Sequence, residues 1–186
     1  MSVLIPSDQL TLTEKARLRQ NAIVGGIERA VAMKIAPTRE QIDYRMAQNI
    51  IDFGTVGRER WLTANLALIN TPYSVWTTLA APAVGLTPLL ANTKVAVFWG
   101  VSVETAPNPV SLLSFRLGAA AGTTFAVFNL EEMEPQLVME GYFSIPVVYD
   151  PQDTLNVVVT SKIATLVQAQ VVLNCYIFER KGQTTS

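Results

Sequence analysis

Histidine does not occur in this chain of 186 residues, and cysteine occurs once, at Cys175. The first absence removes the usual general base near neutral pH, the Ser-His-Asp and Cys-His constellations, and the commonest metal ligand. The second removes any disulfide within the chain, so a fold made and used without oxidative stapling is expected, as suits the cytoplasm of the producing cell. Charge is scarce too. Only 16% of the residues are charged while 49% are hydrophobic, where soluble monomers carry about a quarter charged. The deficit is uneven: Met1 to Arg60 holds nine Lys or Arg and seven Asp or Glu, and Trp61 to Ser186 holds five and eight. No charge at all lies between Trp61 and Thr93. Either a membrane or a partner is expected to cover such a surface.

Long apolar runs are missing as well, which decides between those two. The uncharged stretch after Trp61 is broken by Asn65, Asn70, Pro72, Pro82 and Pro88, so it offers no continuous apolar helix of about 20 residues. Met1 to Pro6 shows neither the basic nor the apolar region of a signal peptide. A net charge of −1 provides no basic patch for a polyanion, so no specific nucleic-acid partner is expected. Burial by protein partners remains: the body is expected to be oligomeric. At 186 residues the chain allows one ordinary domain plus an appendage.

The first part reads as helix. Thr11 followed by Glu14 is a capping-box pattern. Leu18, Ala22, Ile23, Ile27, Ala30 and Val31 then recur at helical spacing. Gly25-Gly26 interrupts this stripe as a hinge, a bend or a point of close packing. Pro37 breaks the run, Thr38 and Gln41 restart it, and a second helix is expected to carry Ile42, Met46, Ile50 and Ile51 as far as Gly54. Residues 1–55 are therefore read as a helical arm. Its candidate partner-binding residues are Leu18, Ile23, Ile27, Val31, Ile42, Met46 and Ile50, because both apolar stripes have to be buried somewhere.

From Trp61 the period falls to two. Leu62, Ala64, Leu66 and Leu68 alternate with Thr63, Asn65 and Ala67, and Val95, Val97, Trp99, Val101 and Val103 form a second such set. Leu113, Phe115 and Leu117, then Leu155, Val157 and Val159, then Val171, Leu173, Cys175 and Ile177 repeat the pattern. These are strands with one buried face. Breaker clusters separate them, among them Thr105 to Pro109, Gly118 to Thr123 and Asp150 to Asp153. Eight strands are expected near 61–69, 73–80, 94–103, 111–118, 123–130, 137–148, 154–161 and 168–180. That is a mainly β chain: an eight-stranded antiparallel sandwich over residues 56–180, with a polar tail at 181–186. A jelly roll is the commonest eight-stranded solution of this kind, although spacing alone does not separate it from an immunoglobulin-like sandwich.

Groups that could carry chemistry fit structural roles better. Cys175 falls between Leu173 and Ile177 on an apolar face, as a small buried hydrophobe would. Glu131, Glu132 and Glu134 match no calcium-loop spacing and have no acidic group placed opposite, so they read as a solvated loop. Asp150 and Asp153 flank a turn whose backbone they are expected to bond. Gly54-Thr-Val-Gly57 lacks the Lys and Ser or Thr of a phosphate loop. The arm's basic residues, Arg17, Arg19, Arg29, Lys34, Arg39, Arg45, Arg58 and Arg60, are diluted by seven acids. No enzyme activity, cofactor or metal is expected.

Leu112-Leu-Ser-Phe-Arg-Leu-Gly118, Phe125-Ala-Val-Phe-Asn-Leu-Glu131, Gly141-Tyr-Phe-Ser-Ile-Pro-Val-Val-Tyr-Asp-Pro151 and Val171-Val-Leu-Asn-Cys-Tyr-Ile-Phe-Glu179 together resemble the jelly-roll cement or decoration proteins of tailed-bacteriophage heads. The resemblance runs from Trp61 to Glu179 and lies in strand order and flavour. It implies a homotrimer seated over junctions between major capsid subunits, with an N-terminal extension reaching a neighbour. The location would be the virion, after synthesis in the host cytoplasm. A small single-jelly-roll major capsid protein, another virion part such as a collar or spike, and a cellular carbohydrate-binding sandwich are the alternatives. On this reading, removing residues 1–55 leaves a folded sandwich that no longer attaches to particles.

Overall fold

The computed structural model describes residues 3–47, 62–66, 68–75, 89–118, 122–134, 139–164 and 168–183. A strand lies at each of the eight expected places: β3 (Leu62–Asn65), β4 (Pro72–Ser74), β5 (Lys94–Val103), β6 (Val110–Leu117), β7 (Thr123–Asn129), β8 (Met139–Tyr149), β9 (Leu155–Ser161) and β10 (Gln168–Arg180), with residues 76–80 of the expected 73–80 outside the described residues. Two more come from the N-terminal part, β1 (Leu4–Pro6) and β2 (Ile42–Met46), on either side of the helix α1 (Leu12–Ala32). The larger sheet runs β1-β8-β5-β10-β2, with β3 also on β10, and the smaller runs β4-β9-β6-β7. All the strand pairs are antiparallel. Four of them nest about the β6–β7 hairpin: β6 with β7, β5 with β8, β4 with β9 and β3 with β10. Cross-pairs β5–β10 and β6–β9 then join the nest into two facing sheets, a β-sandwich.

Between the sheets lies the larger core. It takes Phe98, Val101 and Val103 from β5, Leu113 and Phe115 from β6, Leu155, Val157 and Val159 from β9, and Val171, Leu173, Cys175 and Ile177 from β10. Cys175 is 1% exposed there, as its alternation with apolar neighbours requires. Phe115 gathers Phe98, Phe128, Phe143 and Tyr149 around it, with ring centroids 5.3 to 6.4 Å away. The expected single face of β5 is not observed. Val95, Val97 and Trp99 face outward and Val101 and Val103 face inward, because a bulge at Trp99 shifts the register between Phe98 and Gly100. Leu68, expected inside a strand, lies in a turn and is 58% exposed.

The helix begins as its sequence dictates. Thr11 Oγ1 accepts from Glu14 N at 3.3 Å, and Thr11 N donates to Glu14 Oε2 at 2.8 Å. Those bonds from Thr11 hold the Glu14 carboxyl below the usual carboxylate range. The helix continues through Gly25-Gly26 without a hinge. Two glycines cost about 1 kcal/mol each relative to alanine, whereas each large apolar side chain fully buried gains roughly 1.5–3 kcal/mol, so packing of the stripe prevails.

Gly26 itself lies against the Phe178 ring, where a Cβ would overlap the ring atoms; Gly25 has nothing within 4 Å. Gly26→Ala is therefore expected to destabilise the fold by about 1–3 kcal/mol through overpacking. Gly25→Ala should stabilise it by up to about 1 kcal/mol through helix propensity. Urea melts of the two variants check this opposition of sign.

The second helix expected from Thr38 is not formed over the described residues, which run here to Ala47. Residues 39–41 make one short 3-10 turn, and Ile42–Met46 then pair with Tyr176–Arg180 as β2. The apolar residue Ile42 and the aromatic Tyr44 suit a strand placed beside β10 better than they suit a helix with nothing to cover. Ile50, Ile51 and Gly54 lie outside the described residues.

Tyr149 crosses the core and donates from its hydroxyl to Arg116 O at 2.9 Å. Burial pushes this hydroxyl above the usual tyrosine range. A folded-state value above the unfolded one, about 10, means that its contribution is complete below that pH and is lost as pH rises toward the folded value. Tyr149→Phe should start about 1 kcal/mol less stable for the lost hydrogen bond. Above about pH 10 its melting temperature should fall less steeply than that of the wild type, as thermal melts across an alkaline pH series would show.

Candidate assembly surface

The outward face of the larger sheet is apolar and aromatic, and α1 lies on it. Val95, Val97, Trp99, Tyr142 and Phe178 form a second core with Ala22, Ala30, Ala36 and Ile42. Leu18, Ile23, Ile27 and Val31 pack against that core as half-buried residues. Five of the candidate partner-binding residues are thus brought together, on the chain's own sheet. Met46 stays 49% exposed on β2, and Ile50 lies outside the described residues.

Polar contacts fix the helix in place. Arg29 grips both carboxylate oxygens of Asp150, with Nε donating to Oδ1 at 2.6 Å. Arg19 places its guanidinium 4.9 Å from the Trp99 ring centre and donates to Tyr142 Oη at 2.6 Å. Exposed ion pairs contribute at most about 1 kcal/mol, so these contacts orient α1 more than they stabilise it. The sequence carried a signal for this second core: Val95 to Val101 contains no polar side chain, as in a strand buried on both faces.

The smaller sheet differs on its outward face, which no described element covers as α1 covers the other. Register places Ser74, Val158, Ser114 and Val127 in one row, and Pro72, Thr160, Leu112 and Asn129 in the next. Neither row has a charge. Toward the β7 edge Leu112 is 39% exposed and Val127 49%, while Ser114 and Val158 in the middle of the first row are buried. Beside them stands Arg116, whose Nε is buried without an acceptor and whose guanidinium meets no carboxylate among the described residues.

The groups that could have carried chemistry are engaged elsewhere. Lys162 Nζ reaches Glu134 Oε2 at 2.5 Å and Glu131 Oε1 at 3.9 Å. Asp153 Oδ2 accepts from Asp150 N at 2.7 Å, closing the expected turn, while Asp150 serves Arg29. Arg45 and the buried Lys94 converge on buried Glu179, a cluster with no motif in the sequence to announce it. Among the described residues no three Cys, Asp or Glu gather as metal ligands. The Gly54–Gly57 segment lies outside them. No family model matches the chain, and no curated protein or solved structure matches it.

The expectation that the sandwich stands without residues 1–55 does not fit these contacts. Removing residues 1–47 would strip β1 from β8 and β2 from β10, and would open Val95, Val97, Trp99 and Phe178 to water. The fragment is expected to lose cooperative melting. Ile27→Ala in the whole chain should cost about 2 kcal/mol. Circular dichroism melts of both proteins measure this; a cooperative melt of the fragment would show that the outer face needs no cover.

Proposed function

We propose that this chain is a structural virion protein, a capsid cement or decoration protein that works by binding copies of itself and the subunits of a major capsid shell. The carrying observation is the outward face of the smaller sheet, where two rows of residues across four strands hold no charge and Leu112 and Val127 stand exposed. A chain that works alone in water keeps such a face charged, whereas an assembly protein buries it. The nested strand pairs support the finer reading of the sandwich as a jelly roll, the double-sheet arrangement familiar in viral capsid domains. A homotrimer is the proposed unit, on the resemblance to phage-head cement proteins.

A small jelly-roll major capsid protein, or a collar or spike, draws on the same strand pairing. The carbohydrate-binding alternative draws less support. Its binding face would need exposed aromatic rings, and Trp99 is 5% exposed beneath Arg19 and α1. Trp61 and Trp76 lie outside the described residues.

Density-gradient-purified particles probed with an antibody to this chain test the proposal. It should co-sediment with the shell at a fixed copy number below that of the major shell protein. Equal or greater copy number would make it the shell protein itself, and its absence from particles would end the virion reading.

A further inference from the structure

A sheet ends in a strand whose outer N–H and C=O groups lack partners, and proteins guard such edges with short strands, proline or charge. Three of this chain's edge strands follow the rule. β1 has three residues and ends in Pro6, β4 has three and begins at Pro72, and β2 carries Asp43 and Arg45. β7 does not. Its seven residues, Thr-Thr-Phe-Ala-Val-Phe-Asn, contain neither charge nor proline, among the described residues it pairs with β6 alone, and its one irregularity is a bulge at Phe125 that leaves Ala126–Asn129 in regular register. Phe125 is 43% exposed and Val127 49%.

The hydrogen bonds show which backbone groups are free to pair. Leu130 N donates to Ser111 O at 2.7 Å, in the register that opposes Phe128 to Leu113 and Ala126 to Phe115. Antiparallel pairs alternate, so Ala126 and Phe128 turn their N–H and C=O toward β6, and Val127 and Asn129 turn theirs away.

We propose that β7 pairs antiparallel with β7 of a second copy, across a two-fold axis at Val127. The proposal rests on the self-association reading above and names its contact. Val127 then meets its twin, and Ala126 of each strand lies opposite Phe128 of the other. A two-fold contact needs a surface complementary to itself. A neutral strand provides this, because a lysine or glutamate near the axis would face its own copy and repel it. The charge pattern therefore selects a second copy as the occupant. Pairing merges the two four-stranded sheets into one of eight and carries the uncharged rows across the axis. Such a contact either makes a dimer or joins larger units in pairs.

The test uses the full chain. Val127→Lys puts two cations on the axis at a site already half open to water, so circular dichroism and melting should match the wild type. Its mass by light scattering should fall to half the wild-type value. Val127→Cys supplies an accessible thiol in a chain whose one native cysteine is buried. Opposed residues of this kind lie about 5.5 Å apart between Cα atoms, within disulfide reach. Mild oxidation should link the copies covalently, and faster than the same substitution at exposed Gln20 does. If Val127→Lys keeps the wild-type mass, or the two cysteine variants link at equal rates, the β7 contact is overturned while self-association stands. A monomeric wild-type chain overturns both.

Discussion

The centre of the larger sheet, strand β5, has to be dry on both sides, and most of the structure follows from that. In β5, Val95, Val97 and Trp99 face one way while Ala96 and Phe98 face the other, and all five are buried. One face takes the smaller sheet. The other takes α1, whose amphipathic stripe is otherwise unsupported, since helices gain most of their stability from packing such a face. The Arg29–Asp150 grip, the Arg19–Trp99 contact and the close approach at Gly26 all serve this second layer. So does β2, whose Tyr44 ring stacks on Phe178 with centroids 5.8 Å apart.

The strands of the sandwich were legible because their alternation is strong and turn residues bound them. Leu155, Val157 and Val159 alternate with Asn156, Val158 and Thr160, and Asp150 to Asp153 stops the chain between sheets. The N-terminal part was legible only as far as Ala32. Ile42 to Met46 carries apolar residues at a spacing of four, which fits a helical turn. What made it a strand is the backbone of β10 more than 130 residues away, and no local pattern encodes that partner. Periodicity was similarly blind to the bulge at Trp99, which exchanges the two faces of β5 midway.

For the candidate surface, the sequence offered two features, scarce charge after Trp61 and the helical stripe, and the structure places them on different sheets. Scarcity of charge after Trp61 pointed to covered surface, and the rows across β4, β9, β6 and β7 are where it shows. The helical stripe drew attention because apolar spacing is easy to read, yet its apolar side chains are spent within the chain. Arg116 gave no signal, because a single arginine in a strand is unremarkable until its Nε is seen to be buried without an acceptor.

The strand joined to β5, β2 and β3 is β10, the last in the chain. A ribosome makes it only after every one of its partners. At about 5–20 residues per second, β5 waits on the order of ten seconds after its own synthesis before the strand that completes its sheet emerges. Until then β2 and β3 have no ladder to join and α1 has only part of its seat. The larger sheet is consequently completed only once β10 has emerged, and a chain truncated before residue 168 lacks its centre. Every copy passes through an interval in which the apolar run of β5 is bare, so dense translation of this message would crowd together the species most prone to stick.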